Sequence, residues 1–320
     1  VEDALADYNQ AIHLDPQNRA AYYHRGDLYD ALGRLEEALS DFGEAIHLQP
    51  QESDAYYRRG LTNFALGHYH DALSDFEQVL NINPDLVGAF YNRGKTYEAL
   101  GELSGAIASY DAAIHLDGED ARIYNSRGDL YRMREQFEEA IRDYSEVIRL
   151  NPELAMAYYK RGFAHQNLAH LPEALTDYDK AVELKADDVD TLVARGDTLQ
   201  ALGRHEEALT DYSSAVSLDP ARMSAFLNRG RAYQALNLLQ EALIDYEEAI
   251  RLTPEEAYAY ACRGTVCRFL GRFPEAIAYL GEAIRLDFQV SDPYAERGAA
   301  FSALGRYQEA LEDYGAALEI

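Results

Sequence analysis

Apolar residues along this chain recur at helical spacing in two short bursts separated by a glycine, and the pair of bursts then repeats. In residues 19–52, Tyr22, Gly26 and Tyr29 stand at i, i+4 and i+7, one face of a helix. Gly33 interrupts that pattern. Glu36 and Glu37 open the next stretch, where acidic side chains suit the positive end of a helix dipole. Ala38, Phe42 and Ala45 then share a face, with Leu39 and Ile46 beside them, and Pro50 follows where a helix cannot readily continue. Pro172 and Pro274 fall in the first turn of their second stretches, where a missing N–H costs nothing. No period-two alternation competes with this pattern. It predicts two helices per unit and an all-α chain.

The unit has a fixed length. Arg-Gly occurs at Arg25-Gly26, Arg59-Gly60, Arg93-Gly94, Arg127-Gly128, Arg161-Gly162, Arg195-Gly196, Arg229-Gly230, Arg263-Gly264 and Arg297-Gly298, every step 34 residues. A second ladder, out of phase with the first, runs from Ala4 and Ala38 to Ala276 and Ala310. Periods of this length mark architectures in which each unit buries its apolar face only by stacking on its neighbours.

Tyr22-x2-Arg25-Gly26-x2-Tyr29, then Ala38-x3-Phe42, Ala45 and Pro50 resemble a tetratricopeptide repeat, and the resemblance covers the whole chain. In that register residues 1–18 are a lone second helix of a truncated repeat. Residues 19–290 are eight full repeats and 291–320 a truncated ninth, within one continuous solenoid domain over 1–320. The first aromatic position, usually Trp in the family, is mostly Tyr or Phe here (Tyr56, Phe90, Tyr124), and Arg replaces the usual Leu before Gly. The closing Pro is missing at Gly118, Ala186 and Phe288, so looser turns are expected there. The resemblance implies a right-handed superhelical solenoid of antiparallel helix pairs, with first helices lining the concave side.

Small residues at fixed places imply close helix contacts. A glycine within a helix costs about 1 kcal/mol relative to Ala, so nine at one position point to packing rather than propensity. Gly26 is expected to face Ala38 within the pair, and Ala45 to admit the next first helix, with Tyr22, Tyr29, Leu32 and Phe42 filling the spaces between. Asp7, Asp41, Asp75, Asp143, Asp177, Asp211, Asp245 and Asp313 recur one residue before the second-helix aromatic; Ser109 and Tyr279 replace the acid in two units. In the second of these the aromatic slot is Leu280, as if the ring had moved back by one. Each ladder arginine is expected to pair with an Asp of its own or the preceding second helix. A row of cations for phosphate or carboxylate is the rival reading, but a feature in every unit marks architecture.

Charge and candidate chemistry narrow the function. The net charge of −27, from 56 acidic and 29 basic residues, opposes nonspecific binding to nucleic acid or anionic lipid. No apolar run approaches the roughly 20 residues of a membrane helix. Residue 1 is Val, which suggests a processed or excised piece of a longer protein. Cys262 and Cys267 form neither a disulfide framework nor a CxxC pair, so a reducing, cytoplasmic setting is expected. No P-loop, GxGxxG, HExxH or nucleophile elbow is present. His68 and His70 form an HxH without a suitably spaced third ligand, and His13, His47 and His115 suit the C-terminal end of a helix dipole. His165 and Cys267 fill the second core aromatic slot. No catalytic, metal or cofactor site is expected.

Carried over residue by residue, the family's groove positions here are Tyr23, Asp27, Tyr57, Leu61, Phe64, Tyr91, Lys95, Arg122, Arg132, Met156, Tyr159, Phe163, Arg231 and Arg268, together with polar neighbours such as Asp30, Asp54, Asp197, Gln234, Tyr258 and Asp292. Tyr57, Leu61 and Phe64, and again Met156, Tyr159 and Phe163, read equally as binding anchors or as closer packing on the next unit. The groove is acidic at its first end, whereas Arg231 and Arg268 face no groove acid in their own units. An extended peptide with a basic and an acidic end would be oriented by that gradient. The family's chaperone-tail grip, a Lys followed four residues later by Asn, is not matched in any unit, and no asparagine ladder is present, Asn92 and Asn228 standing alone. The expected function is a non-enzymatic scaffold that holds partner polypeptide segments in its groove, with no nucleic acid or membrane partner. Self-assembly through bare repeat ends, and a targeting module of a larger enzyme, are the alternatives.

Overall fold

The computed structural model describes residues 1–287 and 289–320; among these it holds nineteen α-helices and no strand. The expected looser turn at Phe288 lies outside the described residues. The chain divides into two compact units, Val1–Pro152 and Glu153–Ile320. The first contains α1 (Glu2–Leu14) and four helix pairs: α2 (Arg19–Ala31) with α3 (Leu35–Leu48), α4 (Ser53–Ala65) with α5 (Tyr69–Ile82), α6 (Val87–Ala99) with α7 (Leu103–Leu116), and α8 (Ala121–Met133) with α9 (Phe137–Leu150). The second holds five: α10 (Ala155–Asn167) with α11 (Leu171–Leu184), α12 (Val189–Ala201) with α13 (His205–Leu218), α14 (Met223–Ala235) with α15 (Leu239–Leu252), α16 (Ala257–Phe269) with α17 (Phe273–Leu286), and α18 (Ser291–Ala303) with α19 (Tyr307–Glu319). First helices begin every 34 residues, as the two ladders require.

Within each unit a helix packs on its pair partner and then on the helix that follows. Neighbouring first helices also touch directly, as in α2 with α4 and α14 with α16, whereas second helices do not approach one another to the same extent. Each unit is therefore a helix-pair solenoid whose first helices line the more crowded, inner side. Turns between paired helices carry a left-handed residue: Gly33, Gly67, Gly101, Gly203, Gly271 and Gly305 have φ of 72–78°, and Glu135, Ala169 and Asn237 adopt φ of 58° in the same slot. That residue ends the first helix and turns the chain back.

The close contact inside a pair is a glycine against a ring. A Cβ added to Gly26 would lie 2.9 Å from the Phe42 ring, one on Gly94 2.5 Å from Tyr110, and one on Gly196 2.6 Å from Tyr212. This corrects the expectation that Gly26 faces Ala38: the alanine slot approaches only through its carbonyl, at 3.3 Å for Gly162 and Ala174. The missing methyl is needed because a flat ring enters the pair edge-on. Phe42, Phe76, Tyr110, Tyr144, Tyr178, Tyr212 and Tyr246 are all fully buried. Ala45 behaves as expected, buried in one cluster with Ile46 and Ala55 of the next first helix. Leu32 does not fill the core; it lies exposed at the end of α2.

The arginine ladder is structural, and the acid belongs to the arginine's own pair. Arg25 donates to both Asp41 oxygens at 2.6–2.7 Å, and the same fork joins Arg127 to Asp143, Arg195 to Asp211, Arg229 to Asp245 and Arg297 to Asp313. The carboxylates are buried, and bidentate geometry satisfies both of their oxygens at once. Some arginines reach a second acceptor on the preceding second helix: Asn9 for Arg25, Asp111 for Arg127, Asp179 for Arg195. Several guanidinium groups also lie against aromatics of their own helix, as Arg25 does between Tyr22 and Tyr29 at 5.7 Å. Where Ser109 replaces the acid, Arg93 keeps one bond to its hydroxyl. Where Tyr279 does, Arg263 lies 4.4 Å from that ring while Leu280 fills the space under Gly264, so the ring has indeed moved back by one.

Two predictions follow from this packing. Gly196→Ala should destabilise by about 1–3 kcal/mol, because forcing the Tyr212 ring aside outweighs the gain in helix propensity. Gly315→Ala, with nothing within 4 Å of the new methyl, should instead stabilise by up to about 1 kcal/mol. Asp245→Ala strands a guanidinium that has no other acceptor and should cost roughly 3 kcal/mol. Asp211→Ala should cost less, because Arg195 retains Asp179. Chemical denaturation of the four variants checks all of these.

Candidate functional site: the inner face of the first helices

Burying a tyrosine ring, as five of the pairs do, sends its hydroxyl toward the inner face, and a buried hydroxyl needs a partner. Tyr110 donates to Glu98, Tyr144 to Asp129 at 2.8 Å, Tyr178 to Gln166 at 2.8 Å, Tyr212 to Asp197 at 2.7 Å and Tyr246 to Gln234 at 2.9 Å. Burial pushes all five hydroxyls well above the ordinary tyrosine range, so they stay protonated donors. Each acceptor lies 12 or 15 residues before its tyrosine, on the inner face of the paired first helix. Where the ring is Phe76, the residue 12 before it is Phe64 instead. Many groove polar groups therefore complete the core, which sequence reading missed. The signal was there in the coincidence of second-helix Tyr with an acid or amide at that offset.

Other groove side chains link neighbouring first helices. Arg58 lies 3.1 Å from the Asp27 carboxylate, a charge contact too poorly angled for a hydrogen bond, so that buried oxygen has no donor and burial raises the acid's pKa. Thr62 donates to Asp30 at 3.0 Å, and Arg19 pairs with Asp54. The three acids read as an acidic end thus each have a partner within the first unit. Asn92 donates to the Tyr57 hydroxyl at 2.9 Å and Asn228 to Asp197 at 2.8 Å, so neither asparagine stands alone.

The remaining groove positions fall into two groups. Tyr23 and Tyr57 each lean on the core ring of their pair, Phe42 and Phe76, at 6.0 Å, and Tyr91 stands 5.9 Å from Tyr110. Phe64 meets Tyr69 at 5.5 Å, and Leu61 is half-buried beside it on α4. Lys95 pairs with Glu98; Arg122 pairs with Asp120 at 2.7 Å and lies over the Tyr91 ring; Arg132 reaches Asp129 at 4.0 Å. In the second unit Met156 is exposed, while Tyr159 leans on Tyr178 at 6.0 Å and Phe163 is half-buried. Arg268 is not free: it pairs with Glu296 of the next first helix.

Arg231 differs from these. It is exposed, lies 5.8 Å from the Tyr258 ring, and makes no ion pair among the described residues. It borders a cavity of about 770 Å³ on the inner face of the second unit, lined by α12, α14, α16 and α18 through residues that include Gln234, Tyr258, Phe269 and Asp292. Tyr258 and Phe269, both among its lining residues, are 49% and 58% exposed, with Arg268 lying over one face of the Phe269 ring. Cys262 also borders the cavity; burial raises its thiol pKa and that of Cys267, which leaves both thiols protonated. Among the described residues no group of three or more His, Cys, Asp or Glu side chains is arranged to hold a metal, and no helix is long and apolar enough to cross a membrane.

The hydroxyl network makes a prediction. Gln234→Leu should cost about 1–3 kcal/mol by stranding the Tyr246 hydroxyl, whereas Tyr246→Phe removes donor and need together and should cost about 1 kcal/mol or less. Urea melts of the two variants would separate a core tie from a purely ligand-facing amide.

Sequence models of the tetratricopeptide repeat match residues 1–53, 53–86, 99–133, 128–168, 155–188, 196–237, 224–256 and 291–320. Among solved structures, the C-terminal part of a TPR repeat-containing protein from Cytophaga hutchinsonii is 19% identical over 74% of this chain and 97% of its own, with a TM-score of 0.64. YrrB, described as a TPR protein with an unusual peptide-binding site, is 23% identical over 59% of this chain and 97% of its own, at 0.53. The hetero-tetramer Cut9-Hcn1 of the APC/C is 16% identical over 92% of this chain and 58% of its own, at 0.55. At these identities the likeness is one of fold, and no curated protein sequence matches the chain. With repeat matches spread along most of its length and helix pairs at the required interval, the chain belongs to the tetratricopeptide repeat family.

Proposed function

We propose that this protein is a non-catalytic scaffold that holds segments of partner polypeptides against the inner face of its first helices, chiefly in the second unit. The observation that carries the reading is a contrast. Most polar groups on that face already serve the hydroxyl network or links between helices, yet Arg231 and Asp292, in no ion pair among the described residues, meet the half-exposed rings of Tyr258 and Phe269 around one open cavity. Exposed aromatic rings beside an exposed, unbridged cation are features that binding surfaces commonly supply. YrrB's description as a peptide-binding TPR protein agrees with this use of the fold.

A photo-crosslinking residue at position 258 should capture a partner polypeptide that the same group at Ser213, on an outer second helix, does not. Tyr258→Ala in the unmodified protein should then lower affinity for that partner about tenfold or more, with the melting profile unchanged. Equal capture at both positions would remove the inner face as the binding surface.

A further inference from the structure

The cavity between α14, α16 and α18 has a direction. On the α14 side stand Arg231 and Gln234. The Gln234 carbonyl oxygen is occupied by the Tyr246 hydroxyl, which fixes the amide and leaves its NH2 group for a ligand. That wall therefore offers donors and one positive charge. On the α18 side stands Asp292, exposed and in no ion pair among the described residues. The remaining charged side chain of that wall, Glu296, is neutralised by Arg268. Tyr258 lies between the walls, its ring half exposed, close enough to both charges that Arg231 and Asp292 each act on its hydroxyl.

One unpaired cation and one unpaired anion on opposite sides of an exposed ring would attract each other if the cavity were narrow enough to close. Here they stand apart across open space, so each can be satisfied by an opposite charge on the same ligand. Resting on the peptide-binding reading above, we propose that this cavity selects an extended segment bearing an acidic and a basic side chain on either side of an apolar residue. The acid lies against Arg231 and Gln234, the apolar residue on Tyr258 and Phe269, and the base against Asp292. Such a pair reads chain direction as well as composition, because reversing the order sets like charges against each other, a mismatch that strongly suppresses wrong partners.

Selection of displayed octapeptides on the full chain tests this. The enriched sequences should carry an acid and a base in one fixed order with an apolar residue between them. Synthesised with both ends blocked, they should lose about tenfold in affinity to Arg231→Gln and again to Asp292→Asn. Because both side chains are exposed, the variants should fold as the parent does, which circular dichroism checks. A charge-swapped protein, Arg231→Glu with Asp292→Lys, should prefer the peptide with the two charges exchanged. Ligands without a fixed acid–base order, or ligands untouched by both substitutions, overturn the inference while leaving the scaffold reading in place. Peptides that bind only with a free C-terminal carboxylate overturn it also. If no peptide is enriched at all, the peptide-binding reading fails and takes this one with it.

Discussion

The contact on which the rest of this molecule depends is a ring set against a backbone that lacks a Cβ. Gly94 leaves space into which Tyr110 moves so far that an added methyl would stand 2.5 Å from the ring, and the same arrangement recurs down both units. Helices this close bury ring and alanine slot completely, which is where a thin two-helix layer finds most of its apolar stabilisation. The geometry then propagates outward. A ring in that position, when it is tyrosine, delivers its hydroxyl to the inner face, and the first helix must answer with an acid or amide there. A demand made by the core thus decides which side chains appear on the surface most available for binding.

The arginine beside each glycine is tied to the same contact from the other direction. It projects from the first helix next to the glycine and grips the acid one residue before the ring, so fork and ring hold one pair at adjacent positions. Such a buried pair adds specificity of register more than net stability, since removing either partner alone leaves an uncompensated charge. The sixteen-residue offset between arginine and aspartate would be lost by a slip of a single residue in either helix. The α16–α17 pair shows what happens when both parts change together. Tyr279 takes the acid's place and stacks on Arg263, Leu280 takes the ring's place, and the Arg263 Nε is left buried without an acceptor. The neighbouring Glu247, 3.4 Å from the same guanidinium, supplies the balancing charge from the preceding second helix.

Period and composition made the helices, their pairing and the arginine–aspartate ladder legible, because each is written at one offset in nearly every unit. The glycine's true partner was harder to see: Ala38 and Phe42 lie on the same helix face, and only the approach distance shows that the ring, not the alanine, required the missing methyl. The groove was harder again. Carry-over of family positions put Arg268, Asp27 and Asp54 among free charges, but their partners Glu296, Arg58 and Arg19 lie on neighbouring first helices, 28 to 35 residues away, at positions with no fixed residue type. A contact between repeats that differs from one repeat to the next leaves no periodic trace. The acceptors of the tyrosine hydroxyls did leave one, since Gln166, Gln200 and Gln234 share a slot in three successive units of the second half.

That distinction sharpens the usual inference that variable positions of a repeat array are its functional ones. Residue 27, in the first full repeat, and its equivalents hold Asp27, Leu61, Lys95, Asp129, Phe163, Asp197 and Arg231, about as varied a column as the chain contains. Asp129 and Asp197 are nonetheless fixed by core hydroxyls, and Asp27 and Lys95 by adjacent charges. Variation alone therefore does not separate a site from a local repair of the architecture; whether the group's charge and hydrogen-bonding capacity are already satisfied does. By that criterion Arg231 stands out from the others in its column. Its guanidinium is exposed over a ring, its nearest amide has its orientation dictated from the core, and no carboxylate of its own unit pairs with it. Even so its charge is not wholly idle in the stack, since it acts on the part-buried Asp197 carboxylate of the preceding first helix and so helps to offset the cost of burying that acid.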